Sequence, residues 1–216
     1  MMIPSVISAK SIKEATFKTV KHVNDKGKPK KDERGERVIE SKHVIIRIPW
    51  ICCEDSDDLL TFICGFAFGK NLITGKPACL GECVNSRMQD PEYSYGQELH
   101  ENNGLDETIK KLKENPESRR VVNPLFKPAH YGKTDIPCMI ITVWDIEEDN
   151  LNLTILGRSN EVAIAMKSDI RGFAYLLEYV AYQAGYIPGV ILFHDVNAHI
   201  RMSDKNEIDR ILEERY

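Results

Sequence analysis

One stretch constrains the fold more than any other. Met139–Ile146 and Leu151–Leu156 are two apolar, β-branched runs joined by the polar residues Glu147-Glu148-Asp149-Asn150. Two such runs with a short polar join predict a β-hairpin. A hairpin brings its ends together. Cys138, just ahead of the first strand, becomes a neighbour of Arg158, just beyond the second. A guanidinium beside a thiol favours the thiolate, which is the nucleophilic form. The hairpin therefore predicts an activated cysteine and an anion-binding arginine in one place.

The rest of the chain supplies further strands and helices. Lys42–Ile48 reads as a strand, and Gly189–Val196 as another. Asp55-Ser56-Asp57-Asp58 carries good cap and first-turn chemistry, which predicts a helix over Asp55–Phe68. Leu105, Ile109 and Leu112 recur at helical spacing, giving a helix over Leu105–Glu114. Ile170–Ala184 is apolar on nearly every face. It should be a central, buried helix, stopped by Gly185. Glu207–Arg215 reads as a closing amphipathic helix. Asn24–Arg37 is the most polar segment, a mobile loop or hairpin tip, and Lys76–Tyr95 reads as irregular. Strands come before, between and after helices. The expectation is an α/β (α+β) fold, one domain over 1–216, with a mixed sheet packed by helices and a long buried helix among them.

Composition narrows the function. A net charge of −4 gives no general attraction for nucleic acid or acidic membrane. No apolar run reaches the roughly 18 residues a membrane helix needs. Six cysteines without secretory features predict a reduced, cytoplasmic protein. Cys52, Cys53, Cys64, Cys79 and Cys83 lack zinc-ligand spacing and read as small buried hydrophobes.

Four motifs in order resemble the thymidylate synthase superfamily, mainly over Asn115–Ile200. The family's arginine pair appears as Pro116-Glu117-Ser118-Arg119-Arg120, and its Pro-Cys-His nucleophile motif as Pro137-Cys138-Met139. Its Arg-Ser-x-Asp motif appears as Arg158-Ser159-Asn160-Glu161. Its histidine motif corresponds to Asn197-Ala198-His199-Ile200-Arg201. The resemblance implies a homodimer with sites at the subunit interface. It implies a pyrimidine nucleoside monophosphate, dCMP or dUMP, and 5,10-methylenetetrahydrofolate or a related pterin. Cys138 would add to C6 of the base, which makes C5 a carbon nucleophile. Arg158 would bind the phosphate, with Arg119 and Arg120 reaching it from the partner chain. Guanidinium forks suit a phosphate dianion. Arg34 is the candidate for the family's N-terminal phosphate arginine. Ser159 would bind substrate, and His199 would take the sugar 3′-hydroxyl.

The departures from the family pattern carry the most information. Eleven residues after the phosphate arginine, thymidylate synthases carry an asparagine that reads uracil; here the position is Asp169. An ionised aspartate cannot donate to O4 but can accept from the exocyclic amine of cytosine. The family's dCMP hydroxymethylases carry aspartate there. Asp169 also precedes the predicted buried helix, so it could act as an N-cap. The family's general-acid glutamate falls near Asp58, with Asp57 or Glu54 as substitutes and a helix-start role as the bland reading. The position of a sugar-binding tyrosine is Arg201, which bears on ribose selection. The chain stops about fifteen residues beyond His199, short of the family's folate-closing tail. A wetter site would suit hydroxymethylation, in which water attacks the exocyclic methylene, whereas methylation needs hydride transfer away from water. The sequence therefore predicts a dCMP hydroxymethylase working through a covalent cysteine adduct. A thymidylate synthase methylating dUMP is the alternative, and a silent nucleotide-binding homologue a third reading.

Overall fold

The computed structural model describes residues 3–50, 93 and 95–214. One mixed sheet organises them. Strand β1 (Ser5–Ser8) leads into helix α1 (Ile12–Lys26) and strands β2 (Lys28–Lys31) and β3 (Arg37–Pro49). Helices α2 (Tyr95–His100) and α3 (Gly104–Glu114) precede strands β4 (Val122–Pro124), β5 (Met139–Glu147), β6 (Asn150–Gly157) and β7 (Asn160–Glu161). Helix α4 (Met166–Ala184), strand β8 (Ile187–Arg201) and helix α5 (Lys205–Glu213) complete the described chain. The sheet order is β1-β3-β8-β6-β5-β4, with β2 paired to β3 and β7 to β8.

The predicted hairpin is present. Glu147 pairs with Asn150, leaving Glu148 and Asp149 as the turn, and Glu148 takes φ +56°. At the other end Met139 pairs with Gly157, and the Arg158 N–H donates to the Cys138 carbonyl at 2.9 Å. Strand β8 holds the sheet together. It runs antiparallel to β3 along Val38–Pro49 and parallel to β6 on its other side. Past Gly157 the neighbour of β8 changes from β6 to β7, and Arg158 and Ser159 bridge the break. The Asn197 side chain fills the gap by donating to the Arg158 carbonyl at 2.7 Å.

Helix α4 is the buried helix. Ile170, Phe173, Leu177, Val180 and Ala181 are buried against the sheet with Leu153, Ile155, Ile191 and Phe193. Each large apolar side chain so buried contributes about 1.5–3 kcal/mol. Gly185 ends the helix at φ +87°, and its N–H caps the Ala181 carbonyl at 2.8 Å.

Several boundaries differ from the sequence reading. Helix α4 begins at Met166, not Ile170, and Ala165 is its N-cap. Asp169 therefore does not cap the helix; it lies inside the first turn and is buried. The cause is upstream. The Glu161 carboxylate accepts from the N–H groups of Ala163, Ile164 and Ala165, and so organises the chain before the helix. The polar segment Asn24–Arg37 is not one loop. It holds the end of α1, strand β2 and a tip over 32–36, with β2 paired to Arg37–Glu40. Helix α1 and strand β1 have no counterpart in the sequence reading. Strand β3 starts five residues earlier than predicted and β8 extends to Arg201. The helix predicted over 55–68, the five cysteines outside the hairpin, and Glu54, Asp57 and Asp58 lie outside the described residues.

Candidate active site

Six of the residues singled out in the sequence line one cavity of about 460 Å³: Arg34, Cys138, Arg158, Ser159, Asp169 and His199. That volume is typical of small-molecule sites. The hairpin end delivers Cys138 and Arg158. The β6–β7 break delivers Ser159, strand β8 delivers His199, and the first turn of α4 delivers Asp169. The β2–β3 tip supplies Arg34 and the rim. Arg119 and Arg120 follow α3, are exposed, and do not line this cavity.

The Arg158 guanidinium is fixed by backbone. Its Nε donates to the Pro137 carbonyl at 2.9 Å and Nη2 to the Ile136 carbonyl at 2.8 Å. Nη2 also lies 3.9 Å from Cys138 Sγ. The juxtaposition predicted from the hairpin is therefore real, but its electrostatic outcome is reversed. Burial pushes the Cys138 thiol above its ordinary range, Arg158 opposes this, and the charge of Asp169 adds to the rise. Desolvating a thiolate outweighs one guanidinium at this distance. Cys138 rests as a free thiol.

Asp169 faces the cavity from α4. Burial first, and the charge of Asp195 second, push its carboxyl up to about 8. No hydrogen bond from the described residues offsets this rise. Asp169 is thus a neutral carboxylic acid at neutral pH, with one donor and one acceptor to offer. Burial and the neighbouring Arg201 hold His199 below its usual range, so its imidazole is neutral. Its Nδ1 sits 3.4 Å from Ser159 Oγ. Arg34 reaches Asp135 at 3.5 Å across the cavity mouth, and both side chains are exposed.

Two residues of the site were not singled out in the sequence. Tyr93 and Tyr95 line the cavity with Cys138. The Tyr95 hydroxyl accepts from the Met139 N–H at 3.1 Å. Burial pushes both phenols well above their ordinary values, so they remain proton donors. Their sequence signal is slight: two tyrosines spaced by one residue in a segment with no other pattern.

The comparisons with known proteins agree with this geometry. The family model described as thymidylate synthase matches residues 76–215. A protein of Methanococcoides burtonii named "Putative thymidylate synthase" is 33% identical over 97% of this chain and 95% of its own length. A Methanosarcina mazei protein of the same name is 31% identical over the same shares. The thymidylate synthase of Mycoplasma genitalium is 31% identical over 54% of this chain and 41% of its own. The chain belongs to the thymidylate synthase family. As a member it is a pyrimidine C5 one-carbon transferase, and the α/β fold expected from the resemblance is the fold observed.

Methylenetetrahydrofolate is the one-carbon donor of the thymidylate synthase family. In the described lining the half-buried Tyr93 presents an aromatic ring that suits a flat ring system, whereas Tyr95 is buried. No helix among the described residues is long and apolar enough to cross a membrane.

Proposed function

We propose that this protein is a dCMP hydroxymethylase. The observation that carries the reading is Asp169, a buried carboxyl that keeps its proton at neutral pH and lines the cavity beside Cys138. Cytosine presents a basic N3 and an exocyclic amine. A neutral acid donates to that N3 while its carbonyl oxygen accepts from the amine. As Cys138 Sγ forms its bond to C6, electron density moves toward N3. Asp169 can then pass its proton fully to that nitrogen, which an asparagine amide cannot do. The thiol proton passes to solvent in the open cavity as the Sγ–C6 bond forms, and Arg158 Nη2, 3.9 Å from Sγ, steadies the developing thiolate.

Addition at C6 makes C5 a carbon nucleophile, and one difficult step becomes two easier ones. The donor supplies a one-carbon unit at the oxidation level of formaldehyde. Arg158 and Arg34 bind the 5′-phosphate, and the neutral His199 with Ser159 takes the sugar hydroxyl. Asp58, outside the described residues, is assigned no step. A reduced catalytic thiol suits a reducing, cytoplasmic compartment.

The active unit is a homodimer in which Arg119 and Arg120 reach the partner's phosphate site. Two observations support this. Both arginines are exposed in their own chain. Ile45, Ile141, Val143, Leu156, Leu192 and Val196 occupy the alternate strand positions, opposite the face that packs on the helices, and stay only half-buried.

One observation favours a second reading, methylation of dUMP. A neutral Asp169 mimics an amide: it can accept from uracil N3–H and donate to O4. Product analysis separates the readings. Incubation of the protein with methylenetetrahydrofolate and an equimolar mixture of dCMP and dUMP should yield 5-hydroxymethyl-dCMP as the main product by mass spectrometry. Formation of dTMP as the dominant product would replace this assignment with the second.

A further inference from the structure

A chain of polar contacts crosses the sheet to Arg158, and the catalytic reading leaves it unused. It starts on β2, where Lys30 Nζ meets Glu40 Oε2 at 2.7 Å. Glu40 Oε1 meets Lys42 Nζ, also at 2.7 Å, two residues along β3. Burial opposes the charge of Glu40, but the two lysines hold its carboxyl below the ordinary range. Lys42 Nζ also donates to Oδ1 of Asn197, the residue paired with it on β8. Asn197 Nδ2 in turn donates to the Arg158 carbonyl at 2.7 Å. The chain thus ends on the residue whose guanidinium lies beside Cys138.

We propose that Lys42 is a positioning residue for the phosphate site: held by Glu40, it fixes the Asn197 side chain, and Asn197 fixes the Arg158 backbone that carries the phosphate-binding guanidinium. The inference rests on the reading of Arg158 as a phosphate ligand. A carboxamide offers an oxygen that accepts and a nitrogen that donates. An ammonium group only donates, and a carbonyl only accepts. Lys42 on one side and the Arg158 carbonyl on the other therefore leave the Asn197 amide a single orientation. Removing the ammonium takes away the partner that opposes rotation of that amide.

Arg158 needs such a hold. Strand β6 pairs with β8 as far as Gly157 and Asp195, and β7 resumes the pairing at Asn160 and Ala198. Arg158 lies in the break, so the Asn197 side chain stands in for a ladder donor at its carbonyl. The Arg158 N–H is held from the other side, by the Cys138 carbonyl at 2.9 Å. Both backbone groups of Arg158 are therefore bonded, one through the hairpin and one through the chain from Lys42. Lys42 does not line the cavity, whereas Asn197 does, so the effect of Lys42 on a nucleotide runs through Asn197. The Lys42 side chain is 48% exposed. Ion pairs so placed add little stability, and the fold should tolerate its substitution.

The test is a binding cycle, read by titration calorimetry with whichever of dCMP and dUMP binds more tightly and with its nucleoside. Lys42→Met keeps the stem and removes the donor. It should weaken nucleotide binding by about threefold to tenfold, the scale of one lost hydrogen bond, and leave the nucleoside unaffected. Lys42→Arg, which keeps a donor, should bind as the native protein does. In an Asn197→Leu background, which breaks the chain without changing charge, Lys42→Met should add no further loss. Unchanged nucleotide binding in a folded Lys42→Met protein, judged by circular dichroism, overturns the proposal. So does an equal loss for nucleotide and nucleoside, or a full further loss in the Asn197→Leu background, which would make Lys42 a distant charge only. Should Lys42→Met fail to fold, Glu40→Gln, which loosens Lys42, carries the same comparison. Arg158→Ala keeps the two ideas separate. Native-like nucleotide binding in that variant removes the phosphate reading and this inference with it; weakened binding there beside an unmoved Lys42→Met removes this inference alone.

Discussion

Arg158 and Cys138 are joined twice, through the 2.9 Å backbone hydrogen bond that closes the β5–β6 hairpin and through the 3.9 Å approach of Nη2 to Sγ. The first contact makes the second unavoidable, since closing the strands brings the guanidinium to the sulfur. Even so, the pair does not give a resting thiolate. Burial and Asp169 outweigh Arg158, so the protein stores its nucleophile as a thiol.

This balance predicts the reactivity of the free protein. Alkylation of Cys138 by iodoacetamide should rise with pH along a curve displaced above that of an ordinary thiol. Removing the Asp169 charge with Asp169→Asn should move the curve down, and Arg158→Ala should move it up. Quantifying the Cys138 peptide by mass spectrometry, with Cys138→Ala as the blank, checks both directions.

The dimer reading predicts complementation. A Cys138→Ala chain and an Arg119→Ala chain should each be nearly inactive as homodimers. Mixed after subunit exchange, they form one hybrid site that carries neither lesion. Random exchange makes about half of the dimers hybrids, each with one intact site, so activity should return to about a quarter of the native protein's, with nucleotide in excess. Absence of recovery despite exchange seen by native mass spectrometry would confine the arginines to their own chain.

The buried acids predict how stability varies with pH. Asp169 rises from 3.8 to about 8 and Asp195 from 3.8 to about 7 on folding. The folded state therefore holds protons that the unfolded chain releases. This stabilising contribution is complete below the unfolded value and is lost as pH climbs through the folded values. A carboxyl midpoint raised by one pH unit on folding corresponds to about 1.4 kcal/mol. Urea unfolding should show stability falling from weakly acid to weakly alkaline pH. Asp195→Asn and Asp169→Asn should each flatten that slope.

Much of this molecule was legible in its sequence, for identifiable reasons. The β5–β6 hairpin and helix α4 follow from long apolar patterns, and Gly185 marks its own helix end. The motifs brought Cys138, Arg158, Ser159, Asp169 and His199 to one cavity. Helix α1 was not legible because its core stripe is Ala15, Thr16, Thr19, Val20 and Val23. Threonines and lysines blur its helical period. The first turn of α4 was hidden because Glu161, a residue outside the helix, organises the backbone before it. The protonation of Cys138 was not legible because proximity to Arg158 can be read from sequence, whereas desolvation cannot. Asp195 leaves one signal, an acid inside an apolar strand, that hydrophobic periodicity does not isolate.

The central claim is that Asp169 selects cytosine. Losing one hydrogen-bond partner in a buried site costs about 1–3 kcal/mol. The native protein should therefore prefer dCMP over dUMP by about tenfold to a hundredfold. Release of tritium from C5 of the two nucleotides, measured on the native protein and on Asp169→Asn, tests this most directly. Selection by Asp169 predicts faster release from dCMP in the native protein and a shift toward dUMP in the variant, whose amide can still meet uracil but has no proton to pass to cytosine N3. Faster release from dUMP in the native protein, or a ratio that the substitution leaves unchanged, would contradict it.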